Sequence, residues 1–319
     1  MLQGSFASGR YTSTVLFVLS MLVLVAAHWL PVSAVSLAQP ALPLFMNGVV
    51  ARVASIFIYM LSATILSQQT FFDRAVKWTG ALYLWLVAIS TFINGNPLVA
   101  VLSLLFLLSV VLLFHCQHSP DPTRLLYTSF LLLGLLAFIT PYALCLIPLY
   151  LLFCSMANIL SARGIAASLL GLITPFWLII GTAYVFPSVN GLFESFADSF
   201  AVCFNICFPG LTIECLLLIL LVIAVLLPSL FTFVGGTSPS KPQLRRRFSF
   251  VLAANLYLLL LFCIFGAGAG FFYVCQLPFV AIEASYLFAK KETKLSNVYF
   301  VLVNIILLAI ATLPLWLRH

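Results

Sequence analysis

Residues 97–115 read PLVAVLSLLFLLSVVLLFH, an apolar run interrupted only by two serines before its closing histidine. A helix rises 1.5 Å per residue, so this stretch spans roughly 28 Å, close to the hydrocarbon thickness of a bilayer. No part of it alternates as a half-buried strand would, and no face of it is polar enough for water. The flanks carry the punctuation of helix ends. Asn94-Gly95 is a turn dipeptide before the run, and Asp121-Pro122 follows it and opens another apolar run.

The same pattern repeats along the chain. Apolar runs of spanning length or near it occur at 14–33, 48–67, 78–94, 97–115, 123–139, 141–160, 164–186, 211–233, 248–266, 269–289 and 297–317. They predict an all-α, polytopic transmembrane helix bundle of about eleven spans in one membrane domain, residues 1–319. Composition agrees: of 319 residues 64% are hydrophobic and 7% charged, where a soluble domain carries about 25% charged residues. Asn96, Asp121, Thr140 and Ser296 stand where a side-chain oxygen would cap a helix, three of them just before a proline at the first helical position. Residues 123–160 admit one long helix kinked at Pro141 or two crossings joined at Thr140. Arg124 and Arg163 favour two, because two crossings leave both arginines on one side.

Charge sets the orientation. With the N-terminus inside, the inner connectors hold Arg10, Arg74, Lys77, Arg124, Arg163, Lys241, Arg245, Arg246, Arg247, Lys290, Lys291 and Lys294, and the outer side holds Arg52 and Arg318. Twelve against two is a positive-inside pattern, with a cytoplasmic N-terminus and the C-terminus outside. The net charge of +7 therefore reflects topology and contact with lipid headgroups rather than nucleic acid. Arg10, the run 15–27 and the small residues 32–38 also resemble a signal peptide. An uncleaved first span is the preferred reading, since the run continues through Trp29 and Leu30.

Ionisable groups inside apolar runs are candidates for function, because a charge at the bilayer centre costs about 2.5–3.5 kcal/mol on insertion scales. Glu283 lies seven residues after Gln276 and seven before Lys290, so the three share a helix face. Pro278 between them cannot donate to the carbonyl of Val274 and loosens the backbone there. A second candidate layer lies at the outer face: Arg52, Glu214, Glu194 and Asp198, with His28 nearby. Should they converge, Arg52 would bind a phosphate or carboxylate while an acid serves as base. Glu194 and Asp198 belong to a half-apolar stretch, about 190–207, in which Phe193, Phe196, Phe200 and Phe204 recur at helical spacing. It reads as an amphipathic helix in the outer interface.

Pro148, Pro175 and Pro278 stand inside spans and would kink them. Gly266-Ala-Gly-Ala-Gly270 reads as a tight turn between two spans. His115-Cys116-Gln117-His118, with Asp121, brings metal-ligating residue types together at a spacing that matches no common zinc pattern. No metal and no cofactor is expected. There is no phosphate-binding glycine loop, zinc-protease motif or hydrolase elbow.

The stretch 163–177, RGIAASLLGLITPFW, follows the paired runs 123–160. This basic turn leading into a Leu-Gly-Leu-x-x-Pro-aromatic span resembles an uncharacterised family of multi-span inner-membrane proteins from the Bacteroidota. The resemblance covers about residues 10–230 and implies a bacterial inner (cytoplasmic) membrane. It brings no activity with it. The chain is also similar, in span count and in its outer interfacial helix, to multi-span enzymes that transfer sugars from polyprenyl-phosphate carriers. Those place an acidic catalytic residue in the first outer loop, whereas residues 35–47 contain no acid.

Three functions follow as expectations: transport or handling of a small or lipid-linked substrate through Gln276 and Glu283, envelope glycan or lipid assembly through the outer layer, or a membrane scaffold with protein partners. Transport leads, and membrane lipids are the expected surroundings in every case.

Overall fold

The computed structural model describes residues 10–29, 49–68, 79–90, 97–117, 119–185, 200, 213–234 and 242–289, and they are helical almost throughout. In chain order the helices are α1 (Arg10–Trp29), α2 (Val49–Gln68), α3 (Thr79–Ile89), α4 (Pro97–His115), α5 (Pro122–Ile139), α6 (Ile147–Met156), α7 (Ala162–Val185), α8 (Ile213–Val234), α9 (Pro242–Ile264) and α10 (Ala269–Ala289). A 3₁₀ segment, Pro141–Leu146, leads into α6, and another, Gly266–Gly268, joins α9 to α10. Among the described residues, six helices (α2, α4, α5, α7, α9 and α10) are long and apolar enough to cross a membrane, and four shorter apolar helices accompany them. The expected eleventh run, 297–317, and most of the amphipathic stretch 190–207 lie outside the described residues.

The ambiguity over residues 123–160 resolves into a reversal. Thr140 is extended (φ −136°, ψ 104°) and separates α5 from the 3₁₀ segment. Phe130 and Tyr150 lie ten residues on either side of it, and their rings meet edge-to-face at 5.6 Å. In one continuous helix those residues would stand about 30 Å apart. The neighbouring helices agree. Leu126 approaches Gly164, Tyr127 bonds Thr174, and Phe138 packs on Phe176, so α5 and α7 run parallel and the chain between them must return.

Two expected caps are not formed. The Asp121 side chain makes no capping bond. The Thr140 hydroxyl donates instead to the Leu136 carbonyl at 3.1 Å and closes the end of α5. Proline at the first turn already removes one orphan N–H, which lowers the need for a cap. Asn96 and Ser296 fall outside the described residues. Pro148 lies in the first turn of α6 rather than in mid-helix, so it starts that helix without kinking it. Pro175 and Pro278 are inside helices as expected, and Pro228 is a third. Helix α9 begins six residues before the expected edge of its run, so Arg245, Arg246 and Arg247 sit on its first turns rather than in a connector.

The contacts define two ends of the bundle. At one, the guanidinium of Arg247 donates to Gln117 Oε1 (3.1 Å) and to the Phe114 carbonyl (3.3 Å), near the turn that leads to Arg124. At the other, Tyr142 packs against Phe265 and Phe272, and the Tyr257 hydroxyl donates to the Cys145 carbonyl at 2.7 Å. The turns at Thr140 and Gly266–Gly268 thus share an end that is remote from Arg247. At Gly268 an added Cβ would stand 2.7 Å from the Tyr142 ring, so only glycine lets that ring close over the turn.

Helix α10 lies at the centre and packs against α3, α4, α8 and α9. Its spanning window is 89% buried, against 22% for α7. Leu170, Trp177, Leu178 and Tyr184 of α7 point outward, a surface suited to lipid. Phenylalanines tie the core together: Phe250 of α9 meets Phe114, Phe153 and Phe279, and Phe279 of α10 meets Phe106 of α4. Such edge-to-face contacts add about 0.5–1.5 kcal/mol each beyond area burial.

Candidate functional site

Small hydroxyls line the sides of α10. Thr79 of α3 donates to Ser285 Oγ at 3.0 Å, and Ser90, the residue after α3, donates to the Tyr273 hydroxyl, also at 3.0 Å. The two pairs run in opposite order along the helices, so α3 and α10 are antiparallel. On the α4–α5–α6 side, Tyr150 donates to Ser109 Oγ, and Ser109 and Ser129 exchange bonds with each other's carbonyls. These contacts satisfy each of those hydroxyls locally and read as helix–helix ties, worth about 0.6 kcal/mol each in membranes.

A different arrangement lies between α9 and α10. Glu283 and Asn255 are 0% exposed and Gln276 is 1% exposed. Asn255 Nδ2 donates to Glu283 Oε2 at 3.0 Å. Gln276 Nε2 donates to Asn255 Oδ1 at 2.6 Å and to the Asn255 backbone carbonyl at 3.1 Å. The backbone carbonyl fixes the direction of the chain of bonds. It can only accept, so the amide nitrogen of Gln276 must face it. The oxygen of Asn255 then faces Gln276, and its nitrogen faces Glu283. Counted from the turn at Gly266–Gly268, Asn255 lies between the levels of Gln276 and Glu283 on the opposite helix, and its amide therefore reaches both.

Two oxygens in this cluster have no partner: Glu283 Oε1 and Gln276 Oε1. A buried polar atom left bare costs about 1–3 kcal/mol, more for a charged group. Phe279, one turn before Glu283, belongs to the aromatic core and brings no polar atom. Among the described residues no cationic side chain faces the carboxyl: Arg247 is turned to Gln117 and Phe114, and Arg245 stands over the Phe233 ring at 5.6 Å.

The expectation that Gln276 and Glu283 share one face of a proline-containing helix agrees with this geometry, while their common partner Asn255 is not among the residues expected. The signal for it is a lone amide inside the run 248–266, where a bare amide in hydrocarbon demands a partner. Lys290, the third residue of the expected stripe, lies outside the described residues.

The outer layer is not assembled by the described residues. Arg52 is half-buried near the start of α2. Glu214 is in the first turn of α8, but its side chain is outside the described set, as are the His28 side chain and all of Glu194 and Asp198. In the 115–121 segment, His115 Nδ1 bonds the Val111 carbonyl, the Cys116 thiol donates to the Leu112 carbonyl, and Gln117 accepts from Arg247. Those groups are turned to protein partners, and residue 118 lies outside the described residues.

Among the described residues, the fold and this cluster define a class: a helical protein with six helices long and apolar enough to cross a membrane, the most enclosed of which carries a buried carboxyl–amide network. No protein-family model, no curated protein and no solved structure matches the chain.

Proposed function

We propose that the chain is an inner-membrane protein of about eleven spans, with a cytoplasmic N-terminus and an external C-terminus, that transports or handles a small or lipid-linked substrate. The carrying observation is the Glu283–Asn255–Gln276 cluster: three polar side chains closed off inside α9 and α10, with two oxygens unpaired. A bundle kept only for packing gains nothing from such atoms, since apolar residues of the same shape fill the space at lower cost. Unpaired acceptors on a helix that carries an internal proline suit a site that opens and closes on a ligand. The orientation draws support from the twelve-to-two division of basic residues and from the placement of the Thr140 turn at the end opposite Arg247. The bacterial setting draws on the resemblance to Bacteroidota inner-membrane proteins.

A scaffold is the second reading, and it draws on the lack of accessible surface at Glu283. The envelope-enzyme reading needs Arg52, Glu214, Glu194 and Asp198 at one place, and no contact among the described residues supports it.

The test is mass spectrometry of small molecules and lipids that copurify with the full chain. A species held by the cluster is expected with the native protein and reduced roughly tenfold or more in Glu283→Gln, the loss of a hydrogen bond to a charged or strongly polar group. The same species in the same amount from both proteins would remove the cluster as its site.

A further inference from the structure

We infer that Glu283 is a proton-binding site, and that the closed bundle described here is its protonated form. The inference deepens the transport reading, on which it rests, by naming the proton as the ion that the site takes.

The argument begins with space. Glu283 has no accessible surface. A metal cation or an ammonium ion has nowhere to sit beside Oε1 without moving helices, whereas a proton needs no added volume. Charge gives the second step. An ionised carboxyl at this depth would carry a full negative charge against one neutral amide donor, Asn255 Nδ2. The desolvation of such a charge is offset only by a nearby cation or by several donors.

Among the described residues the surroundings offer neither. On α9, Arg247 is held by Gln117 and Phe114, Arg245 stands over Phe233, Arg246 is exposed, and the Tyr257 hydroxyl is given to Cys145. On α3, Tyr83 bonds Ser103 of α4 and Thr79 bonds Ser285. His115 of α4 bonds its own helix. On α8, Ser229 bonds the Val225 carbonyl, and the Glu214 side chain is outside the described set. On α10 itself, Tyr273 is paired with Ser90, Tyr286 packs on Phe248, and Cys275 is a buried free thiol.

Hydrogen-bond accounting gives the third step. The cluster has two acceptors without a hydrogen-bond partner, Glu283 Oε1 and Gln276 Oε1. One proton from the aqueous phase, bound to Oε1, forms an O–H bond and takes the group from −1 to neutral, which removes the buried charge. No second intramembrane acid is needed, because a single site that meets water alternately at each face carries a proton without a relay.

Infrared difference spectroscopy on the purified full chain reads this directly. At neutral pH the native protein is expected to show a protonated-carboxyl C=O band that exchanges slowly with deuterium. The band is expected to disappear in Glu283→Gln and to shift in Asn255→Leu, where the Oε2 hydrogen bond is gone. A native spectrum at neutral pH with only carboxylate bands overturns the inference, whether or not either variant folds. A band that survives Glu283→Gln also overturns it, by assigning the proton elsewhere. The carboxyl band together with no copurifying or transported species removes the transport reading and leaves the proton site standing.

Discussion

Asn255→Leu is expected to lower the stability of the folded bundle by about 1–3 kcal/mol. Leucine has asparagine's branching and number of side-chain heavy atoms, so the main loss is polar. The substitution strips Glu283 Oε2 of its single donor, and both carboxyl oxygens are then bare in a site with no exposure. Gln276 is affected less, since Nε2 keeps the backbone carbonyl of residue 255 at 3.1 Å. Membrane reference states damp such losses: interhelical hydrogen bonds average only about 0.6 kcal/mol because the unpacked helix finds other partners. Leaving an acid unpartnered is the larger effect and decides the expectation. Adding Glu283→Leu should restore most of the stability, because removing both partners of a buried pair is close to neutral. Unfolding in mixed micelles compares the native protein with the single and double variants. A single variant as stable as the native protein would mean that the Asn255–Glu283 bond is not formed.

The second large effect is expected at the crossing of α5 and α7. A Cβ on Gly171 would collide with the Tyr127 carbonyl oxygen and come within 3.1 Å of the Leu131 nitrogen, and one on Gly134 would stand 2.6 Å from the Leu172 oxygen. All of these are backbone atoms that cannot rotate aside, so the helices must separate. Glycine at such crossings lets two backbones approach closely. Gly171→Ala should cost about 1–3 kcal/mol, as overpacking does, and should loosen the Tyr127–Thr174 bond at 3.3 Å. Gly181 lies on the same helix, and a methyl group added there would meet nothing within 4 Å. Gly181→Ala is thus the control, expected to be neutral or to gain up to about 1 kcal/mol from helix propensity. Thermal unfolding in detergent separates the two. Equal behaviour of Gly171→Ala and Gly181→Ala would contradict the parallel α5–α7 packing.

Much of the helical path is legible in the residues, because in a bilayer a long apolar run has few alternatives to a helix. The runs 97–115 and 269–289 become helices with the same limits. Local signals are less informative where a tertiary contact takes over. Thr140 has the chemistry of a cap, yet its hydroxyl closes the preceding helix instead. Pro148 looks central in its run, but the 3₁₀ segment before it makes it a helix start. Polarity alone assigns Arg245 to Arg247 to a connector. Their long apolar stems let them stay helical while Arg245 and Arg247 cover the phenylalanine rings of Phe233 and Phe114.

The site is half legible for a related reason. Gln276 and Glu283 fall seven apart on one helix, a relation fixed by helical geometry. Asn255 belongs to another helix, and its register against α10 depends on the length of the glycine turn and on the packing of Phe250 against Phe279. A pattern within one run does not contain that information. The outer candidates Arg52 and Glu214 illustrate the same limit, since nearness in depth does not bring two helices side by side.

The proposed topology depends most on the two ends of the bundle facing opposite compartments. Single cysteines placed at Thr140, Gly266, Ser161 and Arg246, in a chain with its native cysteines replaced, should be labelled by a membrane-impermeant thiol reagent in two groups. Thr140→Cys and Gly266→Cys should react from outside the cell. Ser161→Cys and Arg246→Cys should react only after the membrane is opened. Labelling of Gly266→Cys and Arg246→Cys from the same side would contradict a single crossing by α9, and with it the burial of Asn255 and Glu283 within the bilayer.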